Sequence, residues 1–114
     1  MGAWSGTVVF GEAWAAYRGP TAENAAHRHV AVQVSIGLAA PVRIRLGERR
    51  IVSGAALALR PLVSHCVSGD GAPVAFLYVE PQSPLGAALL RVLGDDEAAP
   101  LEPAHGAALG DLAE

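Results

Sequence analysis

The chain has no lysine: all eight of its basic residues are arginines, and they are scattered, in a sequence whose formal net charge is −3. No basic stripe exists to neutralise a row of phosphates, so these 114 residues are not expected to grip nucleic acid by themselves. The arginine bias, with abundant Ala and Gly, reads as the codon usage of a GC-rich bacterial genome and carries no mechanism. Cysteine is nearly absent too. With Cys66 alone, no internal disulfide is available, which fits a reducing cytoplasm. No apolar run reaches membrane-spanning length, and Met1-Gly-Ala-Trp-Ser5 lacks the basic region and apolar core of a secretory leader. No membrane partner is expected. What remains is 52% hydrophobic and 17% charged residues, the balance of a single globular domain.

Period-2 alternation dominates the first two thirds. Thr7 to Phe10, Ala13 to Arg18, Val30 to Leu38, Ala56 to Leu59 and Ala75 to Val79 read as strands. Val42, Ile44 and Leu46 alternate with Arg43 and Arg45, and Gly47-Glu48 turns the chain into Arg49 to Val52. That segment reads as a hairpin with one wet face, its arginines solvated. Residues 18–24, 60–65 and 68–71 read as loops or turns. Six to eight short strands with no helix between them predict an all-β antiparallel barrel or sandwich.

After Glu80 the period becomes 3.6. Ser83 is a good N-cap and Pro84 a good first helical residue; Leu85, Leu89 and Val92/Leu93 make an apolar stripe, and Gly94 is placed to stop it. The spacing predicts a helix over Pro84 to Leu93, packed on the barrel or on a twin chain in a homodimer. Asp95 to Pro100 reads as a linker, and a weaker helical pattern from Pro103 includes Leu109 and Leu112. Residues 1–82 are therefore expected to form the barrel and residues 83–114 a C-terminal helical segment. The second pattern runs to the last residue with nothing to close it, which suggests a domain of something longer.

The chemistry gathers around histidine. On a strand, residues 27, 29, 31, 33, 35 and 37 share one face and read His, His, Ala, Gln, Ser, Gly, while Val30, Val32, Val34, Ile36 and Leu38 form the other, expected to be plain core. His27 and His29 at i and i+2, met by His65 from a neighbouring strand, are a usual means of holding a divalent metal or a polar ligand in a barrel. Gln33 lies roughly 13 Å beyond His29 on a straight strand. Either a bulge shortens that distance and Gln33 joins the same site, or it meets a ligand deeper in the cavity.

His27-x-His29-x3-Gln33 resembles the first motif of the cupins, HxH followed by Glu, and Arg60-Pro-Leu-Val-Ser-His65 resembles a degraded second motif, PxGxxH. The departures are Gln33 for Glu, Arg60 for the first Pro and Leu62 for Gly. A neutral Gln supplies no anionic ligand, and without the Gly the loop presenting His65 is not assured the family's geometry. From about Ala13 to Leu112 the chain is similar, more narrowly, to the N-terminal sensory domain of AraC-type transcription regulators.

That resemblance implies a cupin-like barrel or jelly roll with one or two C-terminal helices, binding a small-molecule effector at His27, His29, Gln33 and His65, without catalysis of its own. It implies DNA as a partner only through a C-terminal helix-turn-helix domain outside these residues. The same four residues would hold one divalent transition metal (Zn, Ni, Cu or Fe) if the site is a metal site, and otherwise no cofactor is implied. The alternative is a small metal-dependent cupin enzyme, a sugar-acid isomerase or dioxygenase, with a three-His-one-Gln site; a third is a structural cupin with nothing bound. Cys66, next to His65 and so on the opposite face, is expected in the core, and His105 on the surface.

Overall fold

In a computed structural model the described residues, 6–20, 30–67 and 71–102, form nine strands and one helix. One sheet has six strands: β1 (Thr7–Phe10), β2 (Trp14–Pro20), β8 (Pro73–Val79), β3 (Val32–Gly37), β6 (Ala56–Leu59) and β9 (Ala98–Pro100), in that spatial order. The other has three: β5 (Arg50–Gly54), β4 (Val42–Leu46) and β7 (His65–Val67). Every pairing is antiparallel. Between β3 and β8 the chain changes sheet four times, after β3, β5, β6 and β7. Such crossings between two facing antiparallel sheets define a jelly roll.

The middle of the six-stranded sheet is packed on both faces. Its inner face, with Leu57, Leu59, Val74, Phe76 and Ala98, packs against Val42, Ile44, Leu46 and Val67 of the smaller sheet. Its outer face, with Val32, Val34, Ala58 and Val79, packs against Leu85, Leu89 and Leu93 of α1 (Pro84–Leu93). The register explains the division: Val34 pairs with Ala58 and Leu77 in one row, Gln33 with Leu59 and Tyr78 in the next, so alternate rows face opposite layers.

The helix has the bounds its caps require. The Ser83 side chain accepts from the Gly86 amide at 3.0 Å, and the Gly94 amide returns to Leu90 O at 3.0 Å. The apolar stripe thus faces the barrel rather than standing free as a dimer seam. Gly86 is required by close approach, since a Cβ there would lie 2.0 Å from Glu80 O. The β4–β5 hairpin turns through Gly47 at φ 63, as its sequence suggests.

Three expectations are corrected. The face running from Val30 to Leu38 is core only at Val32 and Val34; Val30 is 75%, Ile36 37% and Leu38 43% exposed, because α1 covers only the first half of the strand. Residues 98–100 are not linker but strand β9, which pairs Ala98 with Leu59 and Pro100 with Leu57 and extends the sheet past β6. Cys66 is half-buried on the outward face of β7 beside Arg45, not in the core, because the neighbouring His65 and Val67 take the inward positions. The helical pattern from Pro103, with His105, lies outside the described residues.

Candidate functional site

Among the described residues, one chain of buried polar side chains stands in the otherwise apolar interior between the sheets. Gln33 and Ser35 stand two apart on the inner face of β3, each flanked by apolar neighbours: Gln33 by Leu59 and Tyr78, Ser35 by Leu57 and Phe76. His65 enters from the other sheet, at the start of β7 opposite Leu46. All three are buried, at 2%, 0% and 3% exposure, and among the described residues they are the whole set of buried polar side chains. His65 Nε2 lies 3.0 Å from Gln33 Oε1, Gln33 Nε2 lies 3.0 Å from Ser35 Oγ, and His65 Nδ1 donates to Val63 O at 2.8 Å. The chain therefore bridges the two sheets.

Aromatic rings border it on one side. Tyr17 stacks on Phe76 with centroids 5.9 Å apart, and Phe76 leans on Tyr78 at 6.2 Å. These three rings and the Ser35-Gln33-His65 chain lie on neighbouring rows of the same interior. Burial pushes the Tyr78 hydroxyl above its ordinary pKa, and the neighbouring Tyr17 adds to the shift; burial also raises Tyr17.

The loop that presents His65 has its own anchor. Arg60 donates from Nε to Asp96 O at 3.1 Å and from the guanidinium to Gly94 O, while its amide donates to Glu97 O at 2.9 Å. It thereby holds the carbonyls at and just past the C-terminal end of α1, where a cation is favoured. Leu62, where the cupin motif has Gly, sits at φ 67, in the left-handed region that Gly adopts freely.

Of the four site residues read from the sequence, the structure brings Gln33 and His65 into direct contact; His27 and His29 lie outside the described residues. Among the described residues no group of three His, Cys, Asp or Glu could hold a metal. Gln33 and His65 alone do not fit a metal: one is a neutral amide, and both ring nitrogens of the other are engaged. Sequence reasoning missed Ser35 and Arg60 as participants. Ser35 was visible, being two residues from Gln33 on the same face; nothing local marks Arg60, whose partners are some 35 residues away.

No family model and no curated protein sequence matches the chain. Among solved structures, protein NMB1881 from Neisseria meningitidis is similar with a TM-score of 0.58 and 12% identity, over 67% of this chain and 84% of that one. An RmlC-like cupin from Shewanella frigidimarina NCIMB 400 has a TM-score of 0.49 and 19% identity, over 64% of this chain and 71% of that one. A cupin-2 domain from Rhodospirillum rubrum has a TM-score of 0.49 and 16% identity, over 94% of this chain and 78% of that one. At such identities the likeness is one of fold, and what the chain has in common with NMB1881 is the fold alone, here the antiparallel two-sheet jelly roll described above. None of the described helices is long and apolar enough to cross a membrane.

Proposed function

We propose that this cupin-like domain binds a small polar effector inside its barrel, in the manner of the sensory domains of AraC-type regulators that its sequence resembles, and that it acts in the cytoplasm without turning the effector over. The observation that carries the reading is the Ser35-Gln33-His65 chain. Three polar side chains buried in an apolar interior are costly unless hydrogen-bonded, and packing alone would be served better by Val or Leu. Their hydroxyl, amide and imidazole match a ligand with hydroxyl, carbonyl or carboxylate groups, and Tyr17, Phe76 and Tyr78 supply an apolar wall.

A transition metal would draw on His27 and His29 beside His65, whose ring would exchange its bond to Gln33 for the ion. A ligand that prefers one arrangement of barrel and C-terminal segment shifts the population toward it, and a DNA-binding partner reads that bias.

The test is a melting-temperature screen against sugar acids, diketones and small phenolics, with and without Zn, Ni or Fe. One class of polar ligand is expected to raise the melting temperature and be recovered unchanged, and His65→Ala is expected to remove the shift. Metal-dependent conversion that disappears with His65→Ala would replace this reading with the enzyme.

A further inference from the structure

The six residues 60–65 join two features that look unrelated. At the first end, Arg60 makes three hydrogen bonds to the main chain of residues 94–97, where α1 ends and β9 begins. At the last, His65 engages Val63 O with one ring nitrogen and Gln33 with the other. Little slack lies between. Pro61 has a fixed φ, Leu62 is held left-handed at φ 67, and a turn closes from the Val63 amide to Arg60 O at 3.5 Å. The Val63 carbonyl that orients the His65 ring belongs to this turn, so the ring cannot swing without disturbing the backbone that carries Arg60.

The anchored segment is itself a strap. The Asp96 amide returns to Leu93 O, β9 pairs with β6, and the Leu101 amide donates to Ala56 O at 2.9 Å. An exposed ion pair, Arg50 to Glu97 at 3.6 Å, adds little. Arg60 is the side chain that ties strap to site.

We propose that residues 60–65 couple His65 to the strap formed by the end of α1 and β9, with Arg60 as a positioning residue for His65 and the left-handed turn at Leu62 as the element with two discrete states. The coupling deepens the effector-binding reading and rests on it for its purpose. A ligand that takes His65 Nε2 from Gln33 changes the demand on the Val63 carbonyl, the turn relaxes out of its strained conformation, and Arg60 loosens the carbonyls of residues 94–97. By linkage, holding or releasing the strap changes the affinity of the site by the same factor.

Two ligand-free measurements test it on the full chain. In Gln33→Leu, which removes Gln33 as a partner of His65 Nε2 at similar volume, amide exchange at Gly94, Asp96 and Leu101 is expected to rise about tenfold more than at the β4–β5 hairpin amides, whose rise reports the global loss of stability alone. Parent rates at the strap, or a uniform rise that includes the hairpin, would overturn the coupling. In Arg60→Gln, the 15N resonances of the His65 ring are expected to move, and in Arg91→Gln, a change in the last turn of the same helix, they are expected to stay. His65 resonances indifferent to Arg60 would overturn it as well. A screen in which no ligand shifts the melting temperature would defeat the effector reading but leave these results standing.

Discussion

His65 Nε2 and Gln33 Oε1 lie 3.0 Å apart across the interior, from different sheets and 32 positions apart in sequence. The protons along this contact can be counted. With His65 Nδ1 donating to Val63 O, a neutral ring must accept at Nε2, so the Gln33 amide must present its NH2 group there and its oxygen to the Ser35 hydroxyl. The opposite amide orientation requires an imidazolium, and no buried carboxylate among the described residues balances one. With a neutral ring the chain runs from Ser35 hydroxyl to Gln33 oxygen, Gln33 amide to His65 Nε2, and His65 Nδ1 to Val63 O.

Gln33→Leu takes the Gln33 hydrogen bond from both His65 Nε2 and the Ser35 hydroxyl inside the barrel. The expected loss is about 1 to 3 kcal/mol, the cost of an orphaned buried polar group, read from the denaturant midpoint at constant m-value. The double change Gln33→Leu with His65→Phe should recover part of that loss, because both partners are then apolar. A double variant less stable than the sum of the two single changes would refute this account of the network.

Leu62 gives a prediction of opposite sign. A non-glycine residue in the left-handed region costs roughly 1 to 2 kcal/mol, and Leu62 is 57% exposed, so little burial offsets it. Gly at this position removes the strain but adds about 0.4 to 1 kcal/mol of unfolded-state entropy. Leu62→Gly is therefore expected to leave stability unchanged or raise it by up to about 1 kcal/mol. A fall of more than about 1 kcal/mol would mean that the side chain packs in a way its exposure hides.

The residues that were legible in the sequence are those whose signal is local. Ser83, Pro84 and Gly94 bound α1 within a stretch of twelve residues, and Gly47 marks the β4–β5 turn by itself. The contact of Gln33 with His65 was foreshadowed by the resemblance to a two-motif family, since neither residue alone points to the other. The misses have a common cause. Whether Ile36 and Leu38 are core depends on how far α1 reaches across β3; whether Ala98–Pro100 is a strand depends on the open edge of β6; whether Arg60 matters depends on where α1 ends. Each is set by an element distant in sequence, and period-2 or period-3.6 patterning contains no such information.

Leu89 is fully buried at the centre of the helix-sheet contact, among Val32, Val34, Ala58 and Val79. Leu89→Ala is expected to cost about 2 to 4 kcal/mol through lost burial and the cavity left behind. Gly86→Ala tests the same contact by overpacking, since the added methyl meets Glu80 O and Pro81 Cα and α1 must lift to admit it. Thermal melts of both variants check the pair. A Leu89→Ala protein melting with the parent would show that α1 does not hold to the barrel.

The last prediction concerns alkaline pH. Burial holds the Tyr78 hydroxyl above its ordinary pKa of about 10, and Tyr17 contributes to the shift. Between the unfolded and folded values the folded chain keeps a proton that the unfolded chain has lost, so stability falls with rising pH in that interval. The contribution is fully present below about pH 10 and is lost as pH climbs through the folded value. Denaturant midpoints from pH 8 to 11 should thus be flat at first and then decline. Tyr78→Phe should remove most of the decline. Tyr17→Phe should remove little, because the Tyr17 hydroxyl bonds Pro20 O at the exposed rim, where solvent screens its charge. A decline as steep in Tyr78→Phe as in the parent would place the alkaline sensitivity elsewhere and show that Tyr78 is wetter than its position beside Gln33 and Phe76 implies.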